Sequence, residues 1–560
     1  LDPQHLPQAT ASDTVRPPHT DGNALAAITQ RSVLLKAAPS PSAADLAPTE
    51  EAPHTPEIIA LATELGHNPV TIYNWVHDHI AYVPSYGSLQ GAALTLTKRS
   101  GNATDTASLL LALLRVSGIH ARYAYGTVEI PMPQLQNWLG GVENEVLALR
   151  LLAQTRIPSV GIEDGGRFVA AQLEQVWVDA WVDYFPSRGA IHRLGDTWIP
   201  LDASYKQHDV TPGLDLAGLA PYDFAGESTE LLATGQHDPT ASWFTHIDPN
   251  ALSRSFGDYL GQFRHALAPL PGNTPLFAQR SIRPEVRTQL AASLPYRRIA
   301  HGGQNAVLPE SLRHYLRVQL YNSSLDRSLE RPSLSARVSL ASLNTRRLGL
   351  GYAGATPEDQ ARWDSYTQQG ATSLPAYLLE VRPQLKLDDV LLAEGSTVRM
   401  GSAQLLDLTL EAPYARDPLH YTVTAGDELN LGVNANGVTP TEVQARLRAV
   451  PPESSAEQLH QLSLHYWLEH DLMTSIGARA LNIQQVRLPS FGVFAAPLTV
   501  DSFYGIPVSG SYRSYAVDIH RELMAVVAPT PELLRNYNFR RGIQGSYLEG
   551  SVPGQLLLNP

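Results

Sequence analysis

From about residue 56 onward the chain alternates between apolar and polar positions with readable periods. Pro56-Glu57-Ile58-Ile59-Ala60-Leu61-Ala62 places proline in a first turn and apolar residues at helical spacing. A second helix is expected over about 69–82, carrying Ile72, Trp75, Val76 and Ile80. Residues 84–99, rich in serine and glycine, read as a loop. The strongest helix is expected over 104–117, where Ala107, Leu110, Leu111, Leu114 and Val116 recur with Leu109 and Leu113 beside them. A helix that is apolar nearly all round is a buried one, and Gly118 stands where a helix ends. Residues 121–130 then read as a strand and 131–155 as a helical insertion, with further strands expected at 175–182 and 197–202. Helices first and strands after, around one buried helix, predict an α+β domain.

Past this region the pattern changes. Residues 210–310 are proline-rich and alternate between loop and helix, while strands are expected at 315–320, 335–340, 378–385, 405–410 and 421–433. Thr356-Pro357-Glu358 and Thr439-Pro440-Thr441-Glu442 are helix starts, and Ser455-Ala456-Glu457-Gln458 is a capping box for a helix to about residue 476. Strands resume at 485–488, 493–500 and 512–519. The expected organisation is therefore a flexible Pro/Ala-rich leader (1–55), an α+β domain (56–210), a loop-and-helix connector (211–310), a β-rich domain (311–450) and an α+β C-terminal region (451–560). The leader holds eight prolines and one apolar patch, 24–37, able to form a helix. A start at Leu1-Asp2-Pro3, without a signal-like stretch, suggests processing or cloning, and the apolar Leu557-Leu558 suggests that the natural chain continues.

Composition narrows the function. With 41 basic and 54 acidic residues the formal charge is −13, which argues against nucleic acid or an anionic membrane surface as partner. No apolar run is long enough to span a bilayer. The 560 residues contain no cysteine, so disulfides, thiolate metal sites and thiol catalysis are all excluded. A cysteine-free chain of this size fits an extracellular or cell-envelope location.

One stretch carries chemistry. Gly101-Asn102-Ala103-Thr104-Asp105-Thr106-Ala107 opens the apolar helix, which runs through Leu113-Leu114-Arg115 to Gly118-Ile119-His120-Ala121-Arg122. It is followed by Gln175-Val176-Trp177-Val178-Asp179 and by Trp198-Ile199-Pro200-Leu201-Asp202-Ala203. In order and spacing these three motifs resemble the transglutaminase-like superfamily, over about residues 56–210. The resemblance implies a papain-like fold, with a β-rich part following it here. It implies a nucleophilic cysteine at the N-terminus of the buried helix, where free amides and the helix dipole lower a thiol pKa. It also implies a histidine base on one strand and an aspartate orienting it on the next.

Carried onto this chain, the cysteine position is Ala103, the histidine position is Gln175, and only Asp202 is retained. A methyl group is no nucleophile and a carboxamide has no titratable nitrogen, so covalent catalysis is not expected. Large bacterial proteins that resemble this stretch often lack the cysteine as well. Thr104 and Ser108 are the hydroxyls nearest the helix start, with His120 beyond its end, but neither hydroxyl has an evident base.

The remaining candidates read as structural. His77 and His79, two apart on a helix, read as surface residues. His460, His465 and His470 recur every five residues and scatter around their helix. Asn434-Ala435-Asn436-Gly437 is a turn signal with too few acids for a calcium loop. Trp177, Trp181 and Trp198 read as core, and Arg115 and Arg122 as structural arginines.

The expected function is a non-catalytic transglutaminase-like scaffold or binding module of a larger secreted or envelope protein. It would have a protein partner or self-assemble, and need no cofactor or metal. The alternatives are an active transglutaminase or cysteine-peptidase-like enzyme seen as an inactivated variant, and a structural module of a polymorphic-toxin or repeat-bearing surface protein.

Overall fold

Burial of one helix organises the N-terminal half. The computed structural model describes residues 40–558, apart from 220, 222–225, 227, 228, 230–232, 234, 239–242, 247, 248, 273, 370, 414, 450–454 and 513. Helices Pro56–Glu64 (α1), Pro69–His79 (α2), Gly91–Lys98 (α3) and Ala103–Val116 (α4) come first. Thr55, Asn68 and Asn102 cap α1, α2 and α4, each through a side-chain oxygen accepting a first-turn amide. Every residue of α4 from Ala103 to Arg115 is buried, and Gly118 follows it with φ +76°. Arg115 closes the end structurally, donating to the carbonyls of Ala121 (2.8 Å) and Ala306 (2.6 Å).

Residues 84–99 do not form a continuous loop, because they contain α3. Gln90 provides no side-chain cap for this helix. Its first amides are instead taken by the Asp105 carboxylate, with Leu89, Gln90 and Gly91 donating at 3.1, 3.2 and 3.0 Å. The cap comes from the facing helix, so no local start signal exists.

An antiparallel five-stranded sheet backs α4. Its strands are Ala121–Pro131 (β1), Ser159–Asp164 (β2), Arg167–Val182 (β3), Thr197–Leu201 (β4) and Arg297–Asn305 (β5), in the order β5-β1-β3-β2. β4 pairs with the C-terminal end of β3, beyond β2. The expected insertion forms helices Met132–Trp138 (α5) and Glu145–Gln154 (α6).

Two expected boundaries move. β5 lies in the stretch read as a connector, yet it is an edge strand of this sheet. Its Arg-Arg-Ile-Ala-His-Gly-Gly-Gln-Asn sequence is mostly exposed and shows no apolar alternation. At the other end, residues 40–55, part of the expected leader, pack into the fold. Asp45 is buried and pairs with Arg122 at 2.9 Å, while buried Glu51 pairs with Arg313 at 2.6 Å. The rest of the leader, with its apolar patch, lies outside the described residues.

The C-terminal half is a two-sheet sandwich. Strands Tyr315–Tyr321 (β6), Leu334–Ser339 (β7), Leu348–Gly354 (β8), Glu380–Leu387 (β9), Val390–Glu394 (β10), Ala403–Ala412 (β11), Ala415–Thr424 (β12) and Glu428–Asn434 (β13) lead into it. Helix Ser455–Ala480 (α7) follows, then strands Gln484–Arg487 (β14), Ser490–Ala496 (β15), Ala516–Arg521 (β16) and Met524–Val527 (β17), then helix Pro531–Leu558 (α8). One sheet runs β7-β6-β11-β12; the other runs β10-β9-β8-β13-β15-β16. Their apolar faces meet in one core that includes Leu316, Val318, Leu408, Leu350, Leu385 and Leu431. α7 covers β13 and β15 from outside, burying Tyr466 and Trp467 against Phe494, and α8 packs on α7.

The expected boundary at 450 falls inside this unit, since β13 pairs directly with β15. The helical segment between them interrupts the strand pattern without ending the sheet. The stretch 421–433 is likewise two strands, broken by a turn with Gly426 at φ +116°. Ser455 does not act as a cap: it is the first helical residue, and its hydroxyl donates to Glu428.

The two halves are joined through α6. β14 and β17 pair with each other, and Val526 N–H donates to Gln154 Oε1 at 2.7 Å. Val486, Leu488, Ala525 and Val527 complete the N-terminal core. Among the described residues no helix is long and apolar enough to cross a membrane.

Asp45→Ala would leave the buried Arg122 guanidinium without its partner. We expect a loss of about 3–5 kcal/mol of stability, the usual cost of stranding one member of a buried ion pair, measured as a shift of the urea midpoint.

Candidate functional site

β3 and the end of β4 bring Gln175 and Asp202 together, and α4, which carries Ala103, packs against β3. Ala103 is the first residue of α4. Asn102, just before it, donates its side-chain N–H to Gly87 O (2.7 Å) and Ser85 Oγ (3.1 Å). Gln175 lies on β3, against which α4 packs. β4 runs antiparallel to β3 and delivers Asp202 immediately after its last residue.

Gln175 and Asp202 meet directly. Gln175 Nε2 donates to Asp202 Oδ2 at 2.7 Å and to Ser204 Oγ at 2.9 Å. Ser204 donates to Asp202 Oδ1 through its hydroxyl (2.6 Å) and its N–H (2.8 Å), and the Tyr205 N–H adds a longer bond of 3.3 Å. The Tyr296 hydroxyl donates to Oδ2. Five donors therefore converge on one carboxylate, which saturates its lone pairs. From α2, Tyr73 donates its hydroxyl to the Asp202 main-chain oxygen at 3.1 Å. Burial and the adjacent carboxylate push the Tyr296 phenol far above its ordinary pKa, so it stays a donor.

All three motif positions are enclosed: Ala103 is 8% exposed, Gln175 2% and Asp202 3%. Gln175 offers Asp202 a neutral amide in place of a protonatable ring, and Ala103 places only a methyl at the helix start. Of the two neighbouring hydroxyls, that of Ser108 is occupied. Ser108 donates to Thr104 O and accepts from Tyr123 OH, both at 2.9 Å, and is fully buried. Among the described residues no histidine hydrogen-bonds to Thr104 or Ser108. The His120 carbonyl accepts from the Trp181 amide on β3 at 2.8 Å.

Of the three tryptophans expected as core, only Trp177 is; Trp181 and Trp198 are half-buried, and Arg122 is structural. Trp177 is buried and donates to Asp179 at 3.0 Å. Trp181 and Trp198 tilt against each other at 5.4 Å, and the Arg122 guanidinium lies 3.8 Å from the Trp198 ring centre.

His77, read as a surface residue, is buried. Its Nδ1 lies 2.7 Å from Asp78 Oδ1 and its Nε2 3.6 Å from Glu285. Residues 283–287 cover that face of α2, and nothing in the helical pattern announces so distant a cover. His79 is exposed and stacks on Trp75. His460 and His470 are buried and His465 is half-buried. Among the described residues no three histidine, aspartate or glutamate side chains converge as a metal site. In the turn after β13, Asn436 takes φ +64° and the Gly437 N–H donates to Asn434 at 3.1 Å.

Sequence reasoning missed Tyr296, Ser204, Tyr73 and Lys206. Ser204 and Lys206 sit two and four residues past Asp202, where no periodicity singles them out. Tyr296 lies 94 residues away from Asp202 and carries no local signal. The Lys206 ammonium is buried and donates to the carbonyls of His77 (2.8 Å) and Ile80 at the C-terminus of α2.

Residues 55–203 match the family described as the transglutaminase-like superfamily, so the chain carries a transglutaminase-like domain. No curated protein and no solved structure matches the chain.

Burial pushes Lys206 down to about 7. Between there and the ordinary lysine value near ~10.4 the unfolded chain binds the extra proton, so stability should rise with pH over that window. Urea midpoints taken at pH 7 and pH 10 should show this rise, and Lys206→Met should reduce it.

Proposed function

We propose that this chain is a non-catalytic member of the transglutaminase-like group, acting as a scaffold or binding module of a larger secreted or cell-envelope bacterial protein. The observation that carries the reading is the Gln175–Asp202 hydrogen bond, together with a methyl group at position 103. Asp202, the group that would orient a base, is saturated by Gln175, Ser204, Tyr205 and Tyr296. Its acceptor sites are taken, which leaves none to orient a base. The family architecture is therefore spent on packing.

A protein partner or self-association fits the β-rich half. β10 ends its sheet and exposes Val390, Leu391 and Leu392, an apolar edge of the kind that pairs with another chain.

Incubation with a glutamine donor and an amine acceptor should give no isopeptide product by mass spectrometry. Turnover by the unaltered chain that disappears with Asp202→Ala or Thr104→Ala would overturn the reading.

A further inference from the structure

Residues 283–296 run from a short ladder, Gln279–Ile282 against His208–Thr211, to the start of β5. The first part is pinned to α2. The Glu285 N–H donates to Asp78 Oδ1 at 3.0 Å. Asn74 clamps the Arg287 main chain, donating to its carbonyl at 2.8 Å and accepting its N–H at 3.3 Å. The Glu285 carboxylate accepts from Arg287 Nε at 2.7 Å, and the Arg287 guanidinium lies 4.4 Å from the Tyr73 ring centre.

These pins are partly in solvent: the Glu285 side chain is 39% exposed and Val286 between the pins is 83% exposed. Water competes for such contacts, which makes each one weak. The far end differs. Leu290 is buried, its N–H donating to Arg188 O at 2.9 Å. Tyr296 is buried with its ring 5.1 Å from that of Tyr205 and its hydroxyl on Asp202.

We propose that residues 283–296 form a hinged strap, in which Tyr296 covers the Gln175–Asp202 pair in cis and release of the α2 pins opens it. A segment held by weak polar contacts at one end and by two buried side chains, Leu290 and Tyr296, at the other opens locally, without global unfolding. The proposal rests on Gln175 and Asp202 as the site and holds whether or not that site turns over. A turnover assay therefore bears on the function alone, and the measurement below bears on the strap alone.

The absence of cysteine supplies the test. Ser204→Cys places the only thiol of the chain beside Asp202, under Tyr296, and Ser463→Cys, buried in α7, reports global opening. Iodoacetamide labelling of the full chain in native buffer is followed for each, alone and combined with Asn74→Ala/Glu285→Ala. The expected result is slow labelling of both parent thiols relative to urea-unfolded protein. Removing the pins should then accelerate position 204 by about tenfold, with position 463 unchanged. Labelling of S204C at the unfolded rate in the pinned protein, no acceleration on removing the pins, or equal acceleration at both positions would each overturn the strap.

Discussion

A carboxylate buried among apolar neighbours must be fully hydrogen-bonded, and Asp202 meets that requirement with groups from several elements. Gln175 comes from β3, the Ser204 and Tyr205 amides from the chain just past β4, and Tyr296 from the approach to β5. Tyr73 joins α2 to the same residue through its main chain. The set fixes the end of the long strand against the turn that follows β4, and draws a segment remote in sequence over both. In a thiol enzyme of this architecture that carboxylate would serve a titrating base. Here the same demand for donors is met by an amide, hydroxyls and main-chain N–H groups, and the result is cohesion.

What could be read from the chain and what could not divides along a physical line. α4 was legible because its leucines recur on every face and Asn102 and Gly118 mark its ends. β1, β3 and β4 were legible from alternation or a continuous apolar run, and the motif placed Gln175 and Asp202 correctly as neighbours. α3 was not, since its cap is the side chain of Asp105 on the facing helix. β5 was not, because an exposed edge strand has no apolar alternation to show. His77 looked exposed because a helix pattern records only its own faces, and the cover arrives from residue 285. Tyr296 failed for the same reason, its partner Asp202 lying 94 residues away.

The division of the chain into separate domains also depended on local pattern. A connector rich in proline looked like a boundary, yet it returns a strand to the first sheet. A long helix between strands looked like the start of a new region, yet β13 and β15 pair across it. The insertion after β1 proves to be the seat on which β14 and β17 dock.

That docking has a consequence for how the protein is made. The core built around α4 takes side chains from Ala52 at one extreme and Val527 at the other. A ribosome emitting the chain in order must release it through Val527 before this core can close. Contacts of such sequence separation form slowly, because loop closure precedes any reward from packing. Until then the apolar faces of α4, α6 and β3 stay open to solvent, and the nascent chain is at its most prone to aggregate.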